Sequence, residues 1–506
     1  MNSTELFEKI TSLAKRRGFI YPGSEIYGGL AGTWDYGPLG VELKRNIKNE
    51  FWRRMVQERS DVVGIDASII MHPKVWEASG HLASFSDPLV ECKKCHSRFR
   101  PDEIGISNPQ FLISNETPCP NCGVRGNFTE PKQFNLMVET YLGVVEGEKL
   151  KTYLRGEITQ GVHVNFKNVL DSTRVKLPFG VAQVGKAFRN EITPGGFTFR
   201  SREFEQMELQ FYIHPVGNKT QKASVAQSPI ERISNGAKPE EIDSMDWFEY
   251  WKQERMSWFI SLGMRENHLR FKEHAKDELA HYARAAVDIE YGVGDSIETN
   301  PDRSVGVEWK EMEGVHHRGD WDVRRHAEYS KVDLTIFDEA TKERFLPFII
   351  ETSGGVDRAA LFFLMDAYRE EELTTDPPRL AHSSGEAGNR QPTTGDAGNT
   401  RIVLKLHPKL APYKVAVFPL LANKPELVNI AESIYRDLKK QWMVAWDDRG
   451  NIGKRYRAQD EAGTPYCITV DFDSIENKDV TVRDRDTMAQ ERVKISDLPR
   501  YFGSRL

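Results

Sequence analysis

The sequence predicts an α+β protein of two to four domains, and three observations carry that prediction. A charged, aromatic hairpin, FRNEITPGGFTFRSREFEQMELQFY (188–212), repeats with period two. Two Cys-x2-Cys knuckles sit in the first third of the chain. A Pro-, Gly- and Ser-rich stretch, Thr374 to Thr400, sets off a final segment in which strand and helix patterns alternate.

The chain has 506 residues, 39% hydrophobic and 28% charged, the balance of a soluble globular protein. MNSTELFEKITSLAKRRG carries Leu6, Ile10, Leu13 and Ala14 at helical spacing and has no apolar signal segment. No apolar run approaches a membrane span, so a cytoplasmic location without a membrane partner is expected. A net charge of −6 argues against bulk adhesion to nucleic acid. Residues 401–506 hold 19 Lys+Arg against 15 Asp+Glu, which makes this end the better candidate for phosphate-backbone contact.

Pro38 opens a second helix, PLGVELKRNIKNEFWRRMV, whose Leu43, Ile47, Phe51 and Met55 form a stripe suited to a core or to a subunit interface. The strand pattern DVVGIDASIIMHP follows, ending at Pro73. Cys92-x2-Cys95 and Cys119-x2-Cys122, separated by 23 residues, have the spacing of a four-cysteine zinc ribbon within an insertion over 88–135. In a reducing compartment metal binding is the better reading than disulfides, with an apo or degenerate site as the alternative.

In the hairpin, Arg189 and Glu191 share a face of the first arm. In the second arm Phe197, Phe199, Met207, Leu209 and Phe211 fall on one face; Arg200, Arg202, Phe204, Gln206 and Glu208 fall on the other. Thr193-Pro194-Gly195-Gly196 supplies the turn. Arginines, a ring and carboxylates on one face suit a polyanion carrying a flat ring; cross-strand ion pairs of roughly 0.2–1 kcal/mol each are the plainer alternative.

Residues 218–241 read as a polar loop. The aromatics of DWFEYWKQERMSWFISLG read as core, and His316-His317, near Asp320 and Asp322, as a polar surface turn. RFLPFIIETSGGVDRAALFFLMDAY reads as strand, glycine turn and helix. Beyond the linker, KVAVFPL, ELVNIAESIYRDLKKQ, WMVAWDD, PYCITVDFD and VTVRDRD alternate as in a compact α/β domain, with Cys467 buried in a strand. Gly453-Lys454-Arg455-Tyr456-Arg457 mixes cations with an aromatic, a composition suited to phosphates and an unstacked base.

FRNE followed by Arg200-xxx-Phe204-xxx-Glu208 resembles motif 2 of the class II aminoacyl-tRNA synthetases. The Pro38–Pro73 region is similar to motif 1, the dimer element, and PFIIETSGGVDR to motif 3. YGPLGVELKRNIKNEFW, QFNLMVET, NFKNV, PFGVAQVGKAFRNEITPG and GKRYRAQDEAGTPYCITVD resemble the dimeric glycyl-tRNA synthetases over nearly the whole chain. One departure is RGEITQG (155–161), where that family usually has Pro after the Arg and Thr-Ala after the Glu.

The resemblance implies an antiparallel sheet flanked by helices in a catalytic domain over 1–373, with insertions at 88–135 and about 215–300. A linker over 374–401 and an anticodon-binding domain over 402–506 complete the expected order. It implies a homodimer using ATP and Mg2+, with structural Zn2+ in the cysteine site, to join glycine to tRNA(Gly). The catalytic arginines would be Arg189, on the α-phosphate, and Arg358, which with Arg200 holds the outer phosphates. Phe204 would stack under adenine, Glu191 would receive its amino group, and Glu311 would lie near the phosphates and Mg2+. Asn190, Phe199, Met312 and Gly355 complete the expected ATP site. Glycine would meet Glu157, Glu208, Glu351, Ser353, Gly355 and Phe204, with Arg98 reaching its carboxylate. The alternative function is a non-catalytic nucleic-acid-binding relative, such as a polymerase accessory subunit, which need not keep Arg189, Glu191, Glu311 and Arg358 together.

Overall fold

Seven strands form the central sheet of the computed structural model, which describes residues 2–105, 116–144, 149–215, 227–280, 283–294, 307–338, 342–372 and 400–506. They are β1 (Val62–Gly64), β2 (Phe179–Phe188), β3 (Glu203–Ile213), β4 (Leu269–Glu273), β5 (Ala285–Val293), β6 (Glu308–Gly319) and β7 (Phe348–Gly355). Their order is β4-β5-β6-β7-β3-β2-β1. Every pairing is antiparallel except β1 with β2.

Helices cover the sheet because their apolar stripes have nowhere else to be buried. They include α1 (Ser3–Arg17), α2 (Pro38–Trp52), α3 (Thr159–Val164), α4 (Ser244–Ser261), α5 (Trp321–Ser330) and α6 (Val356–Ala367). The stripe Leu43, Ile47, Phe51 and Met55 is buried in the main core, so that face of α2 is core and not a subunit interface. Trp247, Trp251 and Trp258 of α4 join the same core, as expected.

The hairpin departs from the strict period-two reading. Phe197–Phe199 is a single 3-10 turn, and the second arm begins only at Glu203. Phe197 therefore packs edge-on against Trp34, with ring centroids 4.7 Å apart. Arg202 turns away to donate to the carbonyls of Ala31 and Glu191. Two adjacent glycines end the strand geometry that alternation assumed.

Other boundaries shift as well. Part of 218–241 lies outside the described residues, but Pro229–Ser234 is a helix and not a loop. Its Ser228 and Glu231 form a reciprocal capping box. Within 215–300, expected to be an insertion, β4 and β5 hydrogen-bond into the main sheet. Residues 374–399 of the linker lie outside the described residues. Tyr368–Glu372 (β8) and Thr400–Leu404 (β9), on either side of them, pair as an antiparallel ribbon. Thr400 and Arg401 are thus strand, not linker.

The C-terminal part forms a five-stranded sheet with parallel and antiparallel pairings. It packs with α7 (Pro425–Leu438) and α8 (Ile452–Ala462). Cys467 is buried in it, as expected.

Lys44, on α2, ties three segments together. Its ammonium lies 2.8 Å from Glu205 Oε2 on β3 and 2.8 Å from Asp357 Oδ1 on α6. Asp357 Oδ2 also accepts the backbone N–H of Glu205 at 2.6 Å. Burial works against the ammonium, but the two carboxylates outweigh it and raise its pKa. Burial likewise opposes ionisation of Glu205, yet Lys44 and Lys48 hold its carboxyl down at about 2. Removing the cation strands Asp357 and leaves Glu205 with Lys48 alone. Lys44→Met is expected to destabilise the fold by about 3–5 kcal/mol, read from the urea midpoint. An unchanged midpoint would show that the hub is dispensable.

Candidate active site

One cavity of about 300 Å³ is lined from α3, β3, β6, β7, the start of α6 and the turn before β3. Its two ends differ in chemistry. At one end stand Arg189, Arg200 and Arg358 with Phe199, Phe204, Glu191 and Glu311. At the other stand Glu157, Thr159, Glu208, Arg318, Glu351 and Ser353.

The first end is cationic and aromatic. Phe204 lies at the start of β3, with the Arg189 guanidinium 5.3 Å from its ring centroid. Arg189 Nε donates to the Gly156 carbonyl at 3.1 Å. Arg358, in the first turn of α6, sits 4.6 Å from the Phe199 ring and donates to Glu311 Oε1 at 2.9 Å. That partner, set against burial, holds the Glu311 carboxyl below its ordinary value. Burial raises the Glu191 pKa, against the pull of Arg200 and Arg189. Its buried Oε2 accepts no hydrogen bond and lies 3.9 Å from Arg200 Nε.

The second end is a nest of buried carboxyls. Glu208 faces Ser353 across the β3–β7 ladder. Ser353 Oγ donates to its Oε1 at 2.6 Å, and Gln206 Nε2 donates to the same oxygen at 2.9 Å. Burial, then the nearby Glu351 and Glu157, push Glu208 up to about 8. Glu351 is buried too, but Arg318 Nη1 at 2.9 Å from its Oε2 and the neighbouring His316 hold it well below the usual range. Against burial, His81 and Arg318 keep Glu157 at about 2. Arg318 also forks onto Asp322, at 2.7 and 2.9 Å. Gly354 is required beneath this floor, because a Cβ there would stand 2.7 Å from Glu313 Oε2, and Arg255 holds that carboxylate.

Met312 and Gly355 also line the cavity, as expected. Two expected residues do not. Arg98 is 63% exposed on the insertion, where it pairs with Glu91 at 3.1 Å. Asn190 is exposed, and its backbone N–H donates to the Leu136 carbonyl. The reading of His316-His317 as a surface turn is wrong: both lie in β6, paired with β5 and β7, and Asp322 is buried. His316 and Arg318 line the cavity on alternate strand positions. Period two over GVHHR would have found them. Thr159, His274 and Asp288 also line it and were not singled out from the sequence.

Cys92, Cys95, Cys119 and Cys122 converge, with all four sulfurs within 4.8 Å of one another. Hydrogen bonds from Ser97 pull the Cys95 thiol below its ordinary value. In the C-terminal domain the GKRYR stretch begins α8. Arg455 is buried and donates to the carbonyls of Pro419, Asp448 and Gly450. Tyr456 shares a hydrogen bond with Thr469. Both side chains are thus taken up by contacts within the domain, and Gly453, Lys454 and Arg457 are the exposed residues of the stretch.

Fold and cavity define a class II aminoacyl-tRNA synthetase. Residues 414–505 match the family model described as the anticodon binding domain. The fold is similar to that of prolyl-tRNA synthetase from Cryptosporidium parvum, with TM-score 0.58 at 14% identity over 99% of this chain and 78% of that one. Full-length relatives are closer. The glycine–tRNA ligase of Caldanaerobacter subterraneus subsp. tengcongensis is 46% identical over 99% of this chain and 98% of its own. That of Thermobifida fusca is 45% identical over the same shares. The Borreliella burgdorferi enzyme is 47% identical over 99% and 97%. The chain belongs to the glycine–tRNA ligase family.

The proton on Glu208 has a consequence for stability. Between its ordinary value of about 4.5 and about 8, the folded protein holds a proton that the unfolded chain has released. Its contribution is full below the first value and is lost as pH rises through the second. Glu208→Gln, which cannot titrate, is expected to lose less stability than the parent between pH 6 and 8.5. The difference should be of order a few kcal/mol in urea unfolding. Parallel pH profiles would refute a protonated Glu208.

Proposed function

We propose that the chain activates glycine with ATP, forming glycyl-adenylate and pyrophosphate, and then transfers glycine to the 3′ end of tRNA(Gly). A single observation supports this most: one cavity joins an arginine-and-ring end to a buried carboxyl end. A glycine carboxylate oxygen attacks the α-phosphorus and pyrophosphate leaves. In the second step a terminal tRNA hydroxyl attacks the carbonyl and AMP leaves. Both steps need positioning and neutralisation of phosphate charge more than covalent help.

Arg189 takes the α-phosphate, and Arg200 and Arg358 take the outer phosphates, since a guanidinium forks onto phosphate oxygens. Phe204 stacks under adenine, and the unpartnered Glu191 oxygen receives its amino group. Phe199, Met312 and Gly355 complete this end. Glu311 and Asp288 offer carboxylates where Mg2+ would accompany the phosphates; the ion would supply further charge neutralisation. Glu157, Glu208, Glu351 and Ser353 receive the glycine ammonium. Arg98, paired with Glu91 outside the cavity, and Asn190 are left out of this set. The four sulfurs suit a structural Zn2+ that would staple the insertion.

The proposal includes a homodimer acting in the cytoplasm; among the described residues no helix is long and apolar enough to cross a membrane. The C-terminal domain would read the anticodon stem-loop, with Lys454 and Arg457 as phosphate contacts. Nothing in the relatives named above supports the accessory-subunit alternative.

Two experiments test this reading. ATP–pyrophosphate exchange should depend on glycine, and Arg189→Ala should lower its rate by roughly 10²–10³, as for a lost charge-stabilising donor. Glycine-independent or absent exchange in the parent would overturn it. Changing Lys454 and Arg457 together to Ala should leave exchange intact while weakening tRNA charging and its salt dependence. Unaltered charging would remove these two residues from the RNA contact.

A further inference from the structure

Thr159 stands where two hydrogen-bonding demands fall on a single proton. It is 1% exposed, at the start of α3. Its Oγ1 lies 2.6 Å from Glu208 Oε2 and 3.0 Å from Glu351 Oε1. A hydroxyl has one proton and an ionised carboxylate has none, so Thr159 cannot donate to both. One of the two carboxyls must therefore be protonated for both contacts to be hydrogen bonds.

The surroundings identify which. Glu351 already accepts from Arg318 at 2.9 Å and Gln210 at 2.8 Å, and His316 Nδ1 is 3.0 Å away, so it is the anion. Glu208 Oε1 accepts only neutral donors, Ser353 and Gln206. The charged groups acting on the pair are Glu157 beside α3, Arg318 and His316 on β6, and the more distant Arg155. The proton thus sits on Glu208 Oε2, which donates to Thr159 Oγ1, and the threonine hydroxyl donates on to Glu351.

We propose that Thr159 is a positioning residue of the amino-acid pocket, whose hydroxyl relays a hydrogen bond from a neutral Glu208 to an ionised Glu351 and so holds both carboxyls ready for an ammonium group. The proposal rests on reading this end of the cavity as the glycine site. When the ammonium arrives, Glu208 releases its proton to solvent and both carboxylates face a cation. The empty pocket avoids the repulsion of unscreened carboxylates, and the filled one has the charge that an ammonium requires.

Calorimetric titration of glycine into the full chain, in buffers of different ionisation enthalpy near pH 7, reads affinity and proton release together. The parent should release a proton on binding, and Glu208→Gln should abolish the release and weaken binding. Thr159→Val should raise the glycine Kd roughly 10-fold or more, the effect of one lost hydrogen bond to a charged group, with the ATP KM unmoved. Thr159→Ser, which keeps the hydroxyl, should restore it. An unchanged glycine Kd in Thr159→Val overturns the relay, as does an equal loss in Thr159→Ser, which would assign the effect to the methyl. Should Thr159→Val fold poorly by thermal melting, the smaller Thr159→Ala carries the same comparison. If Glu208→Gln leaves glycine binding intact, the pocket reading itself fails, and the relay with it.

Discussion

The buried ammonium of Lys44 is the contact on which the active cavity depends. Helix α2, strand β3 and helix α6 are far apart in sequence; Lys44 of α2 joins the side chains of Glu205 and Asp357, and Asp357 also accepts the Glu205 backbone N–H. The carboxylates it binds are sequence neighbours of the proposed catalytic groups. Glu205 follows Phe204, and Asp357 precedes Arg358. Fixing Glu205 and Asp357 to one cation therefore fixes the separation of the Phe204 ring and Arg358 within the cavity. The arrangement is sensitive for the same reason: a buried pair is costly to break, because the partner left behind stays charged and desolvated.

Much of this was legible in the residues. The α1 and α2 stripes, the tryptophan-rich helix, Cys467 and the four-cysteine cluster need only periodicity and spacing, and each is where those patterns predict. Arg189, Phe204, Glu208 and Arg358 meet in one cavity, as the resemblance implied. What sequence did not show depends on contacts between segments. Arg202 belongs by alternation to the same face as Arg200, yet it donates to the carbonyls of Ala31 and Glu191, because the 3-10 turn at Phe197–Phe199 breaks the alternation. Arg455 and Tyr456 look like RNA contacts in a list of residue types. Their partners, the carbonyls of a neighbouring loop and Thr469, are set by tertiary packing. Period two within β6 did hold the clue to His316 and Arg318; the adjacent histidines and aspartates drew the reading toward a turn.

Charge is divided along the cavity in a way that suits two dissimilar reactants. Arginines at one end suit phosphates, and the carboxyls of Glu157, Glu208 and Glu351 at the other suit an ammonium. Within the cationic end, Arg358 and Glu311 already offset each other in part, at 2.9 Å. Deeper charges are kept apart by private partners: Arg318 is taken by Asp322 and Glu351, and Arg255 by Glu313. This end of the cavity thus has a floor of paired charges, in which Glu351 pairs with Arg318, while among the described residues Glu208 forms no ion pair with a lysine or arginine.

The same economy joins the C-terminal domain to the body of the protein. Arg401, 3% exposed on β9, donates to Glu371 on β8 at 2.9 Å, to Asp460 on α8 at 3.1 Å and to the Arg485 carbonyl at 2.9 Å. Arg483 holds the other oxygen of Asp460 at 2.8 Å. Next to it, Glu461 accepts from Arg16 and Arg17 at the end of α1. A tether alone would leave the domain free to swing. These pairs bind α8 to both the ribbon and the first helix; the desolvated Arg401–Asp460 contact resists separation more than the partly exposed pairs of Glu461 do. A domain held in this way can present its surface at a set distance from the cavity, and a ligand that must span both then meets two sites already in position, with less ordering left to pay on binding.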